Sequence, residues 1–202
     1  MKRNLIVFIS VILTQLLSAQ FSDNTCLFGK IGPSFGNYSG SEISLEYIIN
    51  NRLSFGLGVY QLEKLADNIP DDYIPPSGGL SFFYLFHPKQ NATTYFFSIG
   101  KVLELNKNKR LNLSGGIGYL NVEKPVNYVK ITPQESTSEV YHSAENYTYD
   151  YFSTRNVALV LNPEIDFTRK YIGISLGVIS IVSKDYFSCG VEVSLLLGFV
   201  NQ

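Results

Sequence analysis

Residues capable of chemistry are thinly scattered along this chain. His142 and Ser143 stand side by side with Glu145 close behind, and a histidine next to a hydroxyl invites a nucleophile–base pairing. Neighbours in a strand point to opposite faces, and in a loop nothing fixes them, so adjacency alone builds no such pair. The other histidine, His87, precedes Pro88 in a separate loop. With no HxxxH, no paired catalytic carboxylates and no Cys/His cluster, the chain reads as a non-enzyme with no catalytic residues, cofactor or metal site. Asp67, Asp71 and Asp72 could gather calcium, but their spacing fits no EF-hand loop, and solvated loop acids are the simpler reading.

Two further groups acquire meaning only when placed on elements. One is a set of isolated charges in otherwise small or apolar surroundings: Lys30, Glu42, Glu46, Lys101, Glu164, Asp166 and Glu192. The other is a run of tyrosines, Tyr141, Tyr147, Tyr149 and Tyr151. The stretch Asn156–Phe167 decides how both are read. Its odd positions, Val157, Leu159, Leu161, Pro163, Ile165 and Phe167, are apolar, and its even positions are mostly polar or small. Side chains alternate faces along a strand, so this is a long β-strand with one oily side.

The pattern recurs at Leu27–Gly36, Glu42–Ile49, Leu53–Leu62, Tyr95–Leu105, Leu111–Leu120, Tyr171–Ile181 and Cys189–Val200, giving about eight strands. In Tyr95–Leu105 the faces are mixed, and Lys101 is expected to turn inward with Phe97 and Ile99. Short turns fall near Asn51, Asn108 and Arg169, on the same side as both termini. The variable and longer connections, near Gly40, Asp72, Ser136 and Lys184, fall on the other, the one at Ser183–Phe187 being brief. Gly79–Phe86 is apolar enough to be an extra strand, but counting it would place the longest loop among the short turns. It is assigned to the second long loop. A glycine-spaced strand after a basic turn occurs twice, at Asn51–Tyr60 and Lys109–Tyr119, as the same hairpin position recurring in one sheet.

Met1–Gln20 has a basic start, an apolar run from Leu5 to Leu13 and a small-residue end near Ala19, which is the make-up of a secretory signal helix. The domain from 21 to 202 follows it. The formal charge is -1, from 16 basic and 17 acidic residues. Removing Lys2 and Arg3 with the leader leaves 14 basic against the same 17 acidic, which argues against a nucleic-acid partner. Cys26 and Cys189 fall at opposite ends of neighbouring strands, too far apart to bond.

Alternation does not say which face points outward; the composition of the polar face does. It is rich in Gly, Ser and Asn and poor in long charged groups. That suits a narrow interior and makes a poor water-facing surface. Turning the strands over would aim Glu164 and Asp166 at the oily surroundings. The expectation is an all-β, up-and-down antiparallel transmembrane β-barrel in the cell outer membrane, with lipid as its immediate partner. Aromatic residues at the strand ends fit headgroup-level girdles: Tyr47, Phe55, Phe167, Tyr171 and Phe199 on the short-turn side, Phe35, Tyr119 and Phe152 on the other. The isolated charges then form a polar network that fills the lumen.

With signal, glycine-spaced alternating strands, basic tight turns and an aromatic near the end of the last strand (Phe199), the chain resembles the small outer-membrane β-barrel proteins of Gram-negative bacteria, the porin-like group. The resemblance implies insertion by the barrel assembly machinery, which reads a terminal aromatic; here Val200-Asn201-Gln202 follow Phe199. It also implies alternatives, since similar barrels act as lipid A deacylases or acyltransferases, and a small-solute channel is the third reading. The tyrosines Tyr141, Tyr147, Tyr149 and Tyr151 point instead to a surface role: tyrosine supplies contact area at low entropic cost. The reading adopted is a structural or adhesive barrel that meets an extracellular ligand through its outer loops.

Overall fold

The computed structural model describes residues 25–73, 87–131 and 147–200. These form eight strands: β1 (Cys26–Gly36), β2 (Ser39–Ile49), β3 (Leu53–Leu65), β4 (Lys89–Asn106), β5 (Lys109–Lys130), β6 (Tyr147–Thr168), β7 (Ile172–Ser183) and β8 (Tyr186–Phe199). Each pairs antiparallel with its sequence neighbours, and β1 pairs with β8, so the sheet closes into a ring. The ring leaves no strand edge along the wall. β3 pairs directly with β4, so no ninth strand lies between them. Gly79–Phe86 itself lies outside the described residues, as do the leader, Tyr141 and the His142–Glu145 group.

Parity does what the sequence pattern requires. Along β6 the odd residues Val157–Phe167 are exposed and the even residues Ala158–Thr168 are buried. The same holds around the ring: Leu57, Ile117, Ile174 and Val191 are among the many large apolar side chains on the outside. Lys101 departs from expectation. It points outward with Phe97 and Ile99, while Ser98, Gly100 and Val102 point in. One strand cannot send alternate residues to one face and then switch without a bulge, and the lumen beside Gly100 is already filled by Ser54 and Asn112. Lys101 sits near the Arg52 turn, where its stem can lie along the wall with its ammonium at the rim.

Turn lengths separate the two ends of the barrel. Asn50 and Asn51 take φ of 51° and 52°, and the Arg52 amide bonds to the Ile49 carbonyl at 3.0 Å. Paired left-handed residues match the twist of flanking strands, and asparagine tolerates them. Lys107-Asn108 and 169–171 complete the short-turn end. At the opposite end only the β3–β4 and β5–β6 connections are long. The β1–β2 and β7–β8 hairpins close through Asn37-Tyr38 and Lys184-Asp185. Asn37 also fastens the seam: its side chain donates to the Phe187 carbonyl at 3.0 Å and accepts from the Cys189 amide at 2.8 Å. Cys26 is buried and Cys189 exposed, and both are free thiols.

The wall tolerates side chains unequally. A Cβ on Gly116 would press into the Phe97 carbonyl and the Ser98 backbone, whereas one on Gly29 would meet nothing nearer than 3.9 Å. Gly116→Ala should therefore destabilise the folded barrel by about 1–3 kcal/mol while Gly29→Ala stays within about 0.5 kcal/mol, read from urea unfolding in detergent micelles.

Candidate functional site

The lumen is filled in three layers. Near the short-turn end Cys26, Phe28, Ile48, Val102, Leu196 and Val200 form an apolar floor. Arg110 lies in it, bonding Asp166 at 2.7 Å and the Val200 carbonyl at 2.9 Å, with its guanidinium 4.8 Å from the Phe28 ring centre. Above this is the polar layer. Lys30 Nζ contacts Glu164 at 2.6 Å, Glu192 at 2.8 Å and Glu42 at 3.0 Å. Ser175 donates to Glu164 at 2.8 Å, Asn112 to Glu164 at 3.1 Å, Ser54 to Asn112 at 2.8 Å and Ser194 to Glu192 at 2.9 Å. The third layer is an apolar cap that includes Tyr60, Leu62, Phe96, Leu120, Val160 and Ile181. Tyr60 stacks on Phe96 at 4.9 Å, and its hydroxyl accepts from Asn162 at 3.1 Å.

Lys30, Glu42, Glu46, Glu164, Asp166 and Glu192 thus all lie inside and buried; Lys101 does not. Two components escape a reading of the sequence. Arg110 looks like part of a polar turn, yet it shares parity with Asn112, Ser114 and Gly116 and so belongs to the lumen face. The apolar cap is hidden because Ala158 and Val160 lie between apolar outward neighbours, while Leu120 and Val122 fall where the outward face turns polar at Asn121 and Glu123.

A second cluster stands at the far end, on a ribbon made only of β5 and β6. The β4–β5 ladder stops at Asn91↔Glu123, and the β6–β7 ladder at Leu159↔Val182. Lys124–Lys130 and Tyr147–Phe152 continue as a two-stranded ribbon, extending roughly 20 Å at ~3.3 Å per residue. The register shifts between Val126 and Val129, where Asn127 takes φ 56°. This bulge sets Asn127 and Tyr128 against one partner residue and so brings Tyr128 to the face of Tyr149. The two rings lie 5.4 Å apart, Tyr149 and Tyr151 5.6 Å, and Tyr128 and Tyr147 6.4 Å.

The start of the β3–β4 connection folds onto this ribbon. Asn68 donates to the Pro125 carbonyl at 2.9 Å, Lys130 bonds Asp72 at 2.5 Å, and the Tyr147 hydroxyl donates to Asp72 at 2.6 Å. Tyr73 reaches Tyr147 at 6.3 Å and His87 at 6.1 Å. Of the tyrosines singled out above, Tyr147, Tyr149 and Tyr151 are together, joined by Tyr73 and Tyr128. Asp67 pairs with Lys64 at 2.6 Å, so Asp67 and Asp72 are engaged with different lysines.

No protein-family model and no curated protein matches the chain. Solved structures do. The N-terminal β-barrel domain of Pseudomonas aeruginosa OprF overlays with a TM-score of 0.51 at 7% identity, covering 88% of this chain and 98% of that one. Neisserial surface protein A overlays with a TM-score of 0.51 at 8% identity, covering 87% and 96%. The fold is that of the small eight-stranded outer-membrane barrels. At these identities the likeness extends to the fold and no further.

In this barrel Lys30 is the cation on which three buried carboxylates converge. Lys30→Met should cost about 3–5 kcal/mol, because it strands those charges. Adding Glu42→Gln, Glu164→Gln and Glu192→Gln should restore most of the loss in the same urea unfolding experiment. At the ribbon, Lys130 and then Tyr147 hold the Asp72 carboxyl below its ordinary range, and Asp72 raises both Lys130 and Tyr147. A lowered acid contributes above its ordinary pKa and fails as pH falls through the lowered value; the two raised groups contribute below theirs and fail as pH rises. The Tyr147 ring resonance in an NMR titration should therefore stay constant between roughly pH 4 and 10 and move outside that window.

Proposed function

We propose that this chain is an exported outer-membrane barrel that binds a ligand at its outer rim, with its lumen serving as a plug. The single observation that carries this reading is the tyrosine-faced ribbon. β5 and β6 are each 22 residues long, about twice what a bilayer crossing needs. Their free ends carry a bulge-aligned aromatic cluster braced by an ion pair from another loop. A hairpin serving only to cross lipid has no use for that length or for such bracing.

Several features support the membrane placement. The outward face is apolar at nearly every turn of the pleat, as hydrocarbon requires and water does not. Phe35, Tyr119 and Phe152 are exposed near one end, and Phe167, Tyr171 and Phe199 near the other. Tyr171 and Phe199 pack edge-on at 5.7 Å beside the short turns. Long connections at one end and short turns at the other match a barrel whose short turns face the periplasm. Against a channel stand the apolar floor and cap, which close the lumen on both sides of the polar layer. Against an enzyme stands the engagement of four of the five inward carboxylates: Glu42, Glu164 and Glu192 are held by Lys30 and Asp166 by Arg110, between the apolar floor and cap.

The test is adhesion. Cells displaying the protein are applied to arrays of host glycans and matrix proteins, beside cells displaying Tyr128→Ala with Tyr149→Ala and Tyr151→Ala. Binding to at least one array class, reduced at least about tenfold in the variant at equal surface level, is the expected result, in keeping with two or three lost aromatic contacts. Equal binding by variant and parent would overturn the role of the ribbon.

A further inference from the structure

We propose that the outer wall of β6, β7 and β8 holds one anionic phospholipid, with its phosphate at the short-turn end and an acyl chain along the wall. This rests on the membrane placement proposed above. Two depressions mark the path. The lower, about 440 Å³, is bordered by Asn108, Lys109, Phe167, Arg169, Ile174 and Leu195. The upper, about 390 Å³, is bordered by Leu111, Pro163, Ile165, Leu176, Val178 and Val193.

Strand register makes them one groove. Lys109, Phe167, Ile174 and Leu195 pair across successive strands in one row. Leu111, Ile165, Leu176 and Val193 form the next row on the same outward face. Pro163 begins a third. From Phe167 to Pro163 the groove runs about 13 Å along the strand, roughly half of a ~25 Å apolar band, which is one leaflet. Glu164 and Glu192 border the upper part, but their carboxylates are turned into the lumen onto Lys30.

The mouth is cationic. Lys109 is exposed, and its ammonium lies 5.2 Å from the centre of the Phe167 ring, at the point where apolar wall gives way to turn. Arg169 and Lys170 are exposed in the adjoining turn. Among the described residues, none of these three forms an ion pair with a carboxylate. The depression beside the Asn50–Arg52 turn differs: there Arg52 and Lys101 share the lining with Glu104, Asn50, Asn51, Val102 and Leu103.

The shape of the occupant follows. The groove floor is sheet whose backbone groups are paired within the ring, so an added peptide strand would find no edge to bond. What fits is a flexible apolar chain that asks for no hydrogen bonds below and carries a negative group above. A phospholipid with a net-anionic headgroup meets both conditions. A cation near an anionic lipid surface contributes about 1 kcal/mol, or roughly fivefold in binding.

The full chain, refolded into nanodiscs of equal phosphatidylglycerol and phosphatidylethanolamine and then released for native mass spectrometry, provides the test. The expected spectrum shows one retained lipid, with phosphatidylglycerol favoured at least about fivefold. Lys109→Ala with Arg169→Ala should bring that ratio to near one, while Arg52→Ala with Lys101→Ala leaves it unchanged. Val178→Trp, which fills the upper groove from the outside, should lower retention of both lipids. Equal retention by the parent protein, an equal loss in the control pair, or preferential retention of added lipopolysaccharide would each overturn the site. Failure of the parent to enter nanodiscs at all would instead overturn the membrane placement, and the lipid site with it.

Discussion

One ammonium group ties this barrel across its own axis. Lys30 stands on β1 and reaches carboxylates on both of its ring neighbours, Glu42 of β2 and Glu192 of β8, and on the distant strand β6 through Glu164. The pairing works because all four side chains are withdrawn from solvent, so each charge is answered by a partner or not at all. The hydroxyls and amides around them are small enough to share the remaining width: Ser175 and Asn112 donate to Glu164, Ser194 donates to Glu192, and Ser54 donates to Asn112. A lumen this narrow cannot take large residues at the same level, and the inward glycines and serines of β3 to β5 follow from that. The buried set holds two cations, Lys30 and Arg110, against five carboxylates, Glu42, Glu46, Glu164, Asp166 and Glu192. The two cations are therefore the positions where substitution is felt most.

The polar layer also settles the facing of everything else. Once the charged side of each strand is turned inward, the leucine, isoleucine and valine side has nowhere to go but outward, and ring closure prevents any strand from escaping that choice. The apolar floor and cap then isolate the charges from both ends. Both proposed sites accordingly lie off the axis, on the exterior: the tyrosine ribbon beyond one end, and the oily groove with its basic mouth at the other. The two sites use opposite chemistry for the same reason, since one stands in water and the other beside hydrocarbon.

Much of this was readable from residue order. Alternation in Asn156–Phe167 marked a wall strand, the small and polar make-up of one side gave its facing, and the grouping of short turns at Asn51, Asn108 and Arg169 sorted the two ends. The inward acids followed from parity together with that composition. Reading failed where the pattern carries less information. In Tyr95–Leu105 bulky residues occupy both parities, which hid the outward facing of Lys101. In Lys124–Lys130 proline, a left-handed asparagine and a one-residue bulge break the period, so the ribbon looked like loop and Tyr128 was passed over. Tyr73 reaches the cluster only through the fold-back of a loop held by Asp72 and Asn68, a contact that no local pattern encodes. The Asn37–Ser41 stretch looked like a longer loop than the Asn37-Tyr38 turn it forms because its serines and glycine resemble loop composition.

The central claim is that the oily faces meet hydrocarbon while the polar faces meet each other. Nitroxide labels placed singly at consecutive β6 positions from 157 to 167, in the protein refolded into lipid bilayers, test it most directly through collision with oxygen and with a water-soluble nickel chelate. The account predicts a two-residue period in which odd positions collide with oxygen and not with nickel, and even positions collide with neither. Nickel reaching the odd positions, or the labelled protein remaining folded in buffer without lipid or detergent, would contradict it.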